Sequence, residues 1–313
     1  MARALVFPGQ GSQAVGMGRE LHAAFATARL VFEEVDEALK QKLSRLMFEG
    51  PESELTLTEN AQPALMTASL AAFRVLAKDG ALALPQGAAF VAGHSLGEYS
   101  ALAAAGTFTL ADAARLLKAR GQAMQKAVPV GEGAMAALLG VELARAEEIV
   151  KDAAEDEVLA VANDNAPGQV VVSGHKTAVE RAAKLAGARG PARAIMLPVS
   201  APFHCALMQP AADAMAEALA KVAMEAPIVP LVANVTASAV SDVLAVRNLL
   251  VPQVTARVRW RECVLAMQKD GVDCLVEIGS GKVLSGLTRR IARELNAVSI
   301  QSPADIEAFL KTV

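Results

Sequence analysis

Apolar residues fall along this chain in two rhythms, and their alternation predicts the fold. Short unbroken apolar runs at 4–7 and 88–92 each end in a glycine-rich turn, Pro8-Gly9-Gln10-Gly11-Ser12 and Gly93-His94-Ser95-Leu96-Gly97. Runs of that length bounded by turn formers read as buried strands. Stretches with the helical rhythm follow at 18–26 and on to Asp36, at 64–78 behind Gln62-Pro63, and at 98–105. The order strand, tight turn, helix therefore occurs twice in the first hundred or so residues.

The texture changes at Gly131. A strand is expected at 134–141, a helix at 143–154 and a strand at 158–162. The turn formers Asn163-Asp164-Asn165-Ala166-Pro167-Gly168 follow, then a β-branched strand at 169–173, a helix at 177–188 and a strand at 192–199. This β-α-β-β-α-β order is ferredoxin-like. Beyond it a helix at 207–224, a strand at 228–234, a helix at 260–269, a strand at 274–278 and a helix at 282–294 resume an α/β alternation. The expected fold is α/β: a large α/β-hydrolase-like domain with a parallel sheet, formed by 1–130 and 200–313. An inserted ferredoxin-like subdomain, 131–199, interrupts it.

Composition agrees with a packed chain of this kind. With 53% hydrophobic and 20% charged residues it lacks the low-apolar signature of disorder, and with only 4% aromatics its core must be built from Ala, Val, Leu and Met. A formal charge of -3 without a Lys/Arg run gives no surface for nucleic acid. The apolar run before Pro8 is too short for a secretory signal and no window reaches bilayer length, so a cytoplasmic protein without a membrane partner is expected. Cys205, Cys263 and Cys274 are odd in number and lack metal-ligand spacing, which predicts reduced thiols and no metal site.

Chemistry concentrates at the second turn. Gly93-His94-Ser95-Leu96-Gly97 fits the G-x-S-x-G elbow, in which flanking glycines allow a sharp strand-to-helix turn that presents the serine hydroxyl. The helix that begins after Ser95 aims its N-terminal N–H groups at developing negative charge. A serine nucleophile needs a base, and the chain has four histidines, His22, His94, His175 and His204. His22 and His175 sit in surface-like contexts, and the His94 side chain should leave the elbow on the side opposite Ser95. His204 lies in a loop stiffened by Pro198 and Pro202; a catalytic base and an ordinary buried histidine both fit there.

Five segments in order resemble the malonyl-CoA:acyl carrier protein transacylases of fatty-acid synthesis. They are Phe7-Pro8-Gly9-Gln10-Gly11-Ser12-Gln13, Gln62-Pro63-Ala64, Gly93-His94-Ser95-Leu96-Gly97-Glu98-Tyr99-Ser100, Pro167-Gly168-Gln169 and Gly279-Ser280-Gly281-Lys282-Val283-Leu284. The resemblance implies a Ser95–His204 pair without an acidic third member, the histidine being oriented by the backbone carbonyl of Gln253. Near that position Ala256-Arg257 stands where related chains often have Asn-Pro. It implies oxyanion donors from the backbone N–H groups of Gln10 and Leu96, and an Arg120 that grips the malonyl carboxylate. Phe203 matches the bulky residue that disfavours a branched unit. The implied substrates are a coenzyme A thioester and phosphopantetheinylated acyl carrier protein, with no cofactor. A monomer is expected, with Lys282, Arg289 and Arg290 as a carrier-protein patch.

The resemblance also fits an acyltransferase of a polyketide pathway, and other readings of the same residues lead elsewhere. The elbow also suits a serine hydrolase acting as a thioesterase or esterase, although there the histidine usually comes late and after an acid, whereas His204 is followed by over a hundred residues. Gly9-Gln10-Gly11-Ser12-Gln13-Ala14 formally fits a dinucleotide-binding turn, but Pro8, Gly16 and Gly18 suit the required helix start poorly. A non-catalytic protein that kept the fold is a third class, and it leaves Ser95, His204 and Arg120 together without a purpose.

Overall fold

The computed structural model describes residues 2–80, 82–188 and 192–312. The strands in chain order are β1 (Arg3–Phe7), β2 (Phe90–Gly93), β3 (Gly133–Leu139), β4 (Leu159–Ala166), β5 (Gln169–His175), β6 (Arg193–Met196), β7 (Leu231–Val232), β8 (Ala239–Val240), β9 (Cys274–Ile278) and β10 (Asn296–Ile300). Alternate residues of β1 turn to opposite faces, and both faces are buried. Leu5 and Phe7 join the cluster that contains the helix Thr58–Lys78, whereas Ala4 and Val6 pack with Trp260, Val264 and Met267 of the helix Trp260–Lys269. A strand covered by helices on both sides has no polar face, which is why 4–7 reads as an unbroken apolar run. Burying a side chain such as Leu5 or Phe7 contributes about 2 kcal/mol.

The first sheet runs β10-β9-β1-β2-β7-β8, parallel throughout except for the antiparallel edge pair β7–β8. The second is antiparallel, in the order β4-β5-β3-β6. Its Ala136, Leu138, Val170 and Val172 meet Ile149 and Val179 of the helices Leu143–Ala154 and Lys176–Gly187. Its other face turns Met135 and Val171 toward the main core. The protein is thus mixed α/β, with a parallel-rich sheet and a separate antiparallel one.

Several elements depart from the sequence expectation. Strand β4 does not stop at Ala162 but continues through Asn163, Asp164 and Asn165 to Ala166, leaving only Pro167-Gly168 to turn. The reason is tertiary: Asp164 N–H donates to Val258 O at 3.0 Å, Val258 N–H to Ala162 O at 2.8 Å, and the Asp164 carboxylate takes Arg261 at 2.9 Å. The expected strand at 228–234 is only Leu231–Val232, because the Asn234 N–H turns away to the Glu98 carboxylate. The helix expected from Ala64 begins at Thr58 and carries Pro63 inside it. Among the described residues no helix is long and apolar enough to cross a membrane, and the three cysteines are free and buried.

Candidate active site

Ser95 follows β2 with φ 53°, a left-handed conformation that a non-glycine residue adopts only when its surroundings hold it there. The flanking glycines are obligatory. A Cβ on Gly93 would come within 1.9 Å of the Gly97 carbonyl carbon, and one on Gly97 within 2.3 Å of Phe7 O. Two amide side chains hold the turn. Ser95 N–H donates to Asn234 Oδ1 at 2.8 Å, and Gln253 Nε2 donates to Ser95 O at 2.9 Å.

The Ser95 hydroxyl meets His204 Nε2 at 2.8 Å. On the far side of the ring, Nδ1 faces the carbonyl oxygens of Gln253 at 2.9 Å and Ala256 at 3.1 Å. Two acceptors at Nδ1 fix the proton there and leave Nε2 as a lone-pair acceptor toward the serine. Burial pushes the pKa of His204 down to about 3, with the positive charge of Arg120 acting in the same sense. The imidazole is therefore neutral, the form a general base requires.

Arg120 is 1% exposed. It stands on the helix Leu110–Lys126, which can approach the helix Thr58–Lys78 because Gly121 has no side chain; a Cβ there would lie 2.5 Å from Glu59 Cα. The guanidinium donates to Gln62 Oε1 and Gln253 Oε1, each at 2.9 Å, and to Ser95 Oγ at 3.2 Å. It lies 5.8 Å from the Tyr99 ring centroid, and its Nε has no partner. Burial lowers its pKa, and the charge of Glu98 partly opposes that shift. Among the described residues no carboxylate lies within ion-pair distance of it.

Ser95, His204, Arg120, Gln10, Leu96 and Phe203 all line one cavity of about 440 Å³. Met135 and Val171 of the antiparallel sheet line it too, as do Asn163 and Asn165. Among the described residues the backbone N–H groups of Gln10 and Leu96 meet no protein acceptor, so both remain free to serve an oxyanion. Gln253 approaches through both its backbone and its side chain. Lys282, Arg289 and Arg290 lie elsewhere, exposed at the two ends of the helix Val283–Ile291, and Arg290 donates to Gln169 Oε1 at 3.2 Å.

The other histidines are occupied. His22 packs edge-on to Phe32 and Phe48, and His175 Nδ1 accepts from Val158 N–H at 2.9 Å. His94 Nε2 pairs with Asn165 Oδ1 at 2.8 Å, tying the elbow to β4.

Residues 4–302 match the family model described as acyl transferase domain. The malonyl CoA-acyl carrier protein transacylase of Escherichia coli (strain K12) is 47% identical over 308 residues, covering 98% of each chain. That of Bacillus subtilis (strain 168) is 43% identical over 311 residues, 99% of this chain and 96% of the other. The chain belongs to the malonyl CoA-acyl carrier protein transacylase family. Within this acyltransferase family, the solved acyl-carrier-protein-S-malonyltransferase from Bartonella henselae superposes with a TM-score of 0.97 at 56% identity, covering 100% of this chain and 99% of that one. A malonyl-transacylase solved in complex with a type II PKS acyl-carrier protein superposes with a TM-score of 0.96 at 42% identity, each chain covered completely.

Sequence reasoning gave this transacylase chain no role for Asn234 or Glu98, nor for the side chains of Gln62 and Gln253. Glu98 follows the elbow glycine and Gln62 opens the second of the five segments, so position in the sequence could have singled them out. Asn234 carried no such signal.

Proposed function

We propose that this acyltransferase moves a malonyl group from malonyl-CoA to the phosphopantetheine thiol of acyl carrier protein, through an ester on Ser95, to supply extender units for fatty-acid synthesis. The observation that carries this reading is a buried guanidinium without a carboxylate partner in the cavity that holds the Ser95–His204 pair. A neutral acyl group gives Arg120 nothing to bind. A malonyl group supplies the missing carboxylate, and a guanidinium fork in a desolvated site binds it strongly.

The steps follow from the atoms present. His204 Nε2 takes the Ser95 proton as Oγ attacks the thioester carbonyl, and the tetrahedral oxyanion accepts from the N–H groups of Gln10 and Leu96. Each such donor contributes about 3 kcal/mol of transition-state stabilisation. Collapse expels the coenzyme A thiolate, which takes from His204 the proton that Ser95 gave up, leaving as the thiol. The carrier thiol then repeats the sequence in reverse, its proton passing to His204 and from there to Ser95 Oγ. The Gln253 carbonyl keeps the imidazole in the required tautomer, so no acid and no cofactor takes part.

Phe203, 7% exposed beside His204 on the cavity wall, is in place to crowd a methyl branch. We assign 1–130 and 200–313 to one discontinuous α/β-hydrolase-like domain. Residues 131–199 form the ferredoxin-like insertion, a reading supported by their β4-β5-β3-β6 order. The chain acts as a cytoplasmic monomer whose partner is an acidic carrier protein. Lys282, Arg289 and Arg290 form the patch that receives it.

Mass spectrometry of the intact protein after brief exposure to malonyl-CoA, followed by addition of phosphopantetheinylated carrier protein, tests the reading. A malonyl adduct on Ser95 that moves to the carrier is the expected result. An adduct lost equally fast to water would make the protein a thioesterase.

A further inference from the structure

Glu98 is a buried carboxylate that the reaction does not use. It lies 2% exposed in the first turn of the helix Gly97–Ala104. One of its oxygens accepts from the backbone N–H of Asn234, the other from Gln253 Nε2 at 2.5 Å. We propose that Glu98 is a positioning residue: by accepting at both oxygens it fixes the polarity of the Gln253 amide, and through that amide the guanidinium of Arg120 and the strained backbone of Ser95. The inference deepens the malonyl-transfer reading and rests on it.

Everything depends on which end of one amide faces which group. Arginine only donates, so Gln253 must present Oε1 to Arg120, as it does at 2.9 Å. Its NH2 then points the other way with two hydrogens to place, and these go to Ser95 O at 2.9 Å and to Glu98. The Asn234 backbone N–H, on the far side of Glu98, is also a donor. The same residue's side chain accepts from Ser95 N–H and donates to Gly93 O, each at 2.8 Å. Position 98 therefore needs a group with two acceptors and no donor, and among side chains of this shape only an ionised carboxylate qualifies. Glutamine fits the space but sets its own NH2 against either Asn234 N–H or the Gln253 amide. If Gln253 turns to relieve the conflict, it presents NH2 to Arg120 and releases it.

The test compares malonyl-CoA and acetyl-CoA as acyl donors, reading adduct formation on Ser95 by intact mass in the wild type, Glu98→Gln, Gln253→Met and the double variant. Gln253→Met removes the amide but keeps the backbone carbonyl that faces His204. We expect each single variant to lower the malonyl-over-acetyl ratio roughly tenfold to hundredfold, chiefly through a higher malonyl-CoA KM. The double variant should be no worse in ratio than Gln253→Met alone, because the two residues act through one contact. A purely structural role would slow both acyl donors alike. A ratio within twofold of wild type in Glu98→Gln overturns the proposal, and so does an unchanged ratio in Gln253→Met should Glu98→Gln not fold. Absence of any malonyl adduct on the wild type would instead reject the transfer reading itself.

Discussion

His204 presents Nε2 to Ser95 Oγ at 2.8 Å while the carbonyls of Gln253 and Ala256 hold the proton on its other nitrogen. A backbone carbonyl thus does what an aspartate does in a three-residue triad, fixing the tautomer without adding a negative charge. In the proposed reaction the imidazolium formed during attack gains no ion pair, so that mechanism rests on the pair and the oxyanion donors. Ser95→Ala should abolish the malonyl adduct. His204→Ala should slow its formation by roughly 10²–10⁴, read by quenched-flow mass spectrometry. An adduct that persists in Ser95→Ala would place the nucleophile elsewhere.

Arg120 makes three hydrogen bonds in a fixed plane, to Gln62, Gln253 and Ser95. Arg120→Ala should collapse the preference for malonyl over acetyl. Arg120→Lys should recover little of it, because an ammonium cannot form the parallel fork and is more costly to desolvate. Competition between the two coenzyme A thioesters measures both. Full preference in Arg120→Lys would show that charge alone suffices.

Much of this was legible in the chain, and the misses have a common cause. The elbow, β1, β9 and the helix Trp260–Lys269 stand where local pattern puts them, since each is a run whose burial its own neighbours dictate. Asn163-Asp164-Asn165 looked like a turn because those residues favour turns. Pairing with Val258 and Arg261, remote in sequence, made it strand. The edge strand β10, with its alternating burial, and the final helix Pro303–Leu310 were not anticipated. In the site, Ser95 was readable from its glycines. That Arg120 points inward follows from the family resemblance and not from local pattern, because it depends on Gly121 letting two helices close. The amides of Asn234 and Gln253 carry no local signature at all.

The pH dependence of malonyl loading should belong to Glu98 rather than to the base. Burial pushes Glu98 up to about 7, against the bonds from Asn234 and Gln253 and the charge of Arg120. His204, held near 3, stays neutral well below that, and burial shifts His94 downward in the same sense. Arg120 remains cationic, while Tyr99, pushed up to about 12, and Cys263, also raised by burial, remain neutral. As pH falls through 7, Glu98 gains a proton and loses an acceptor, so kcat/KM for malonyl loading should fall with a midpoint near 7. That limb should vanish in Glu98→Gln; its persistence would assign it to another group. Stability runs the opposite way. A carboxyl with a raised folded pKa stabilises the fold fully below 4.5 and loses that contribution as pH rises through 7.

The contact between β4 and the helix Trp260–Lys269 should be open to the same logic. Asp164, with a side chain 1% exposed, takes Arg261 at 2.9 Å, and its Oδ1 has no partner. Burial raises the pKa of Asp164, so its ionised form costs stability progressively as pH rises above 3.8, and the Arg261 charge opposes that cost. Arg261→Ala leaves the carboxylate unpaired and should destabilise the protein by about 3 kcal/mol at pH 8. The loss should shrink at pH 5, where protonation of the orphaned acid becomes easier. Asp164→Asn added to Arg261→Ala should recover most of it by removing the charge. Urea denaturation at the two pH values reads all three variants. Equal losses at pH 5 and pH 8, unrelieved by Asp164→Asn, would mean that Arg261 contributes through the packing of its stem and not through its charge.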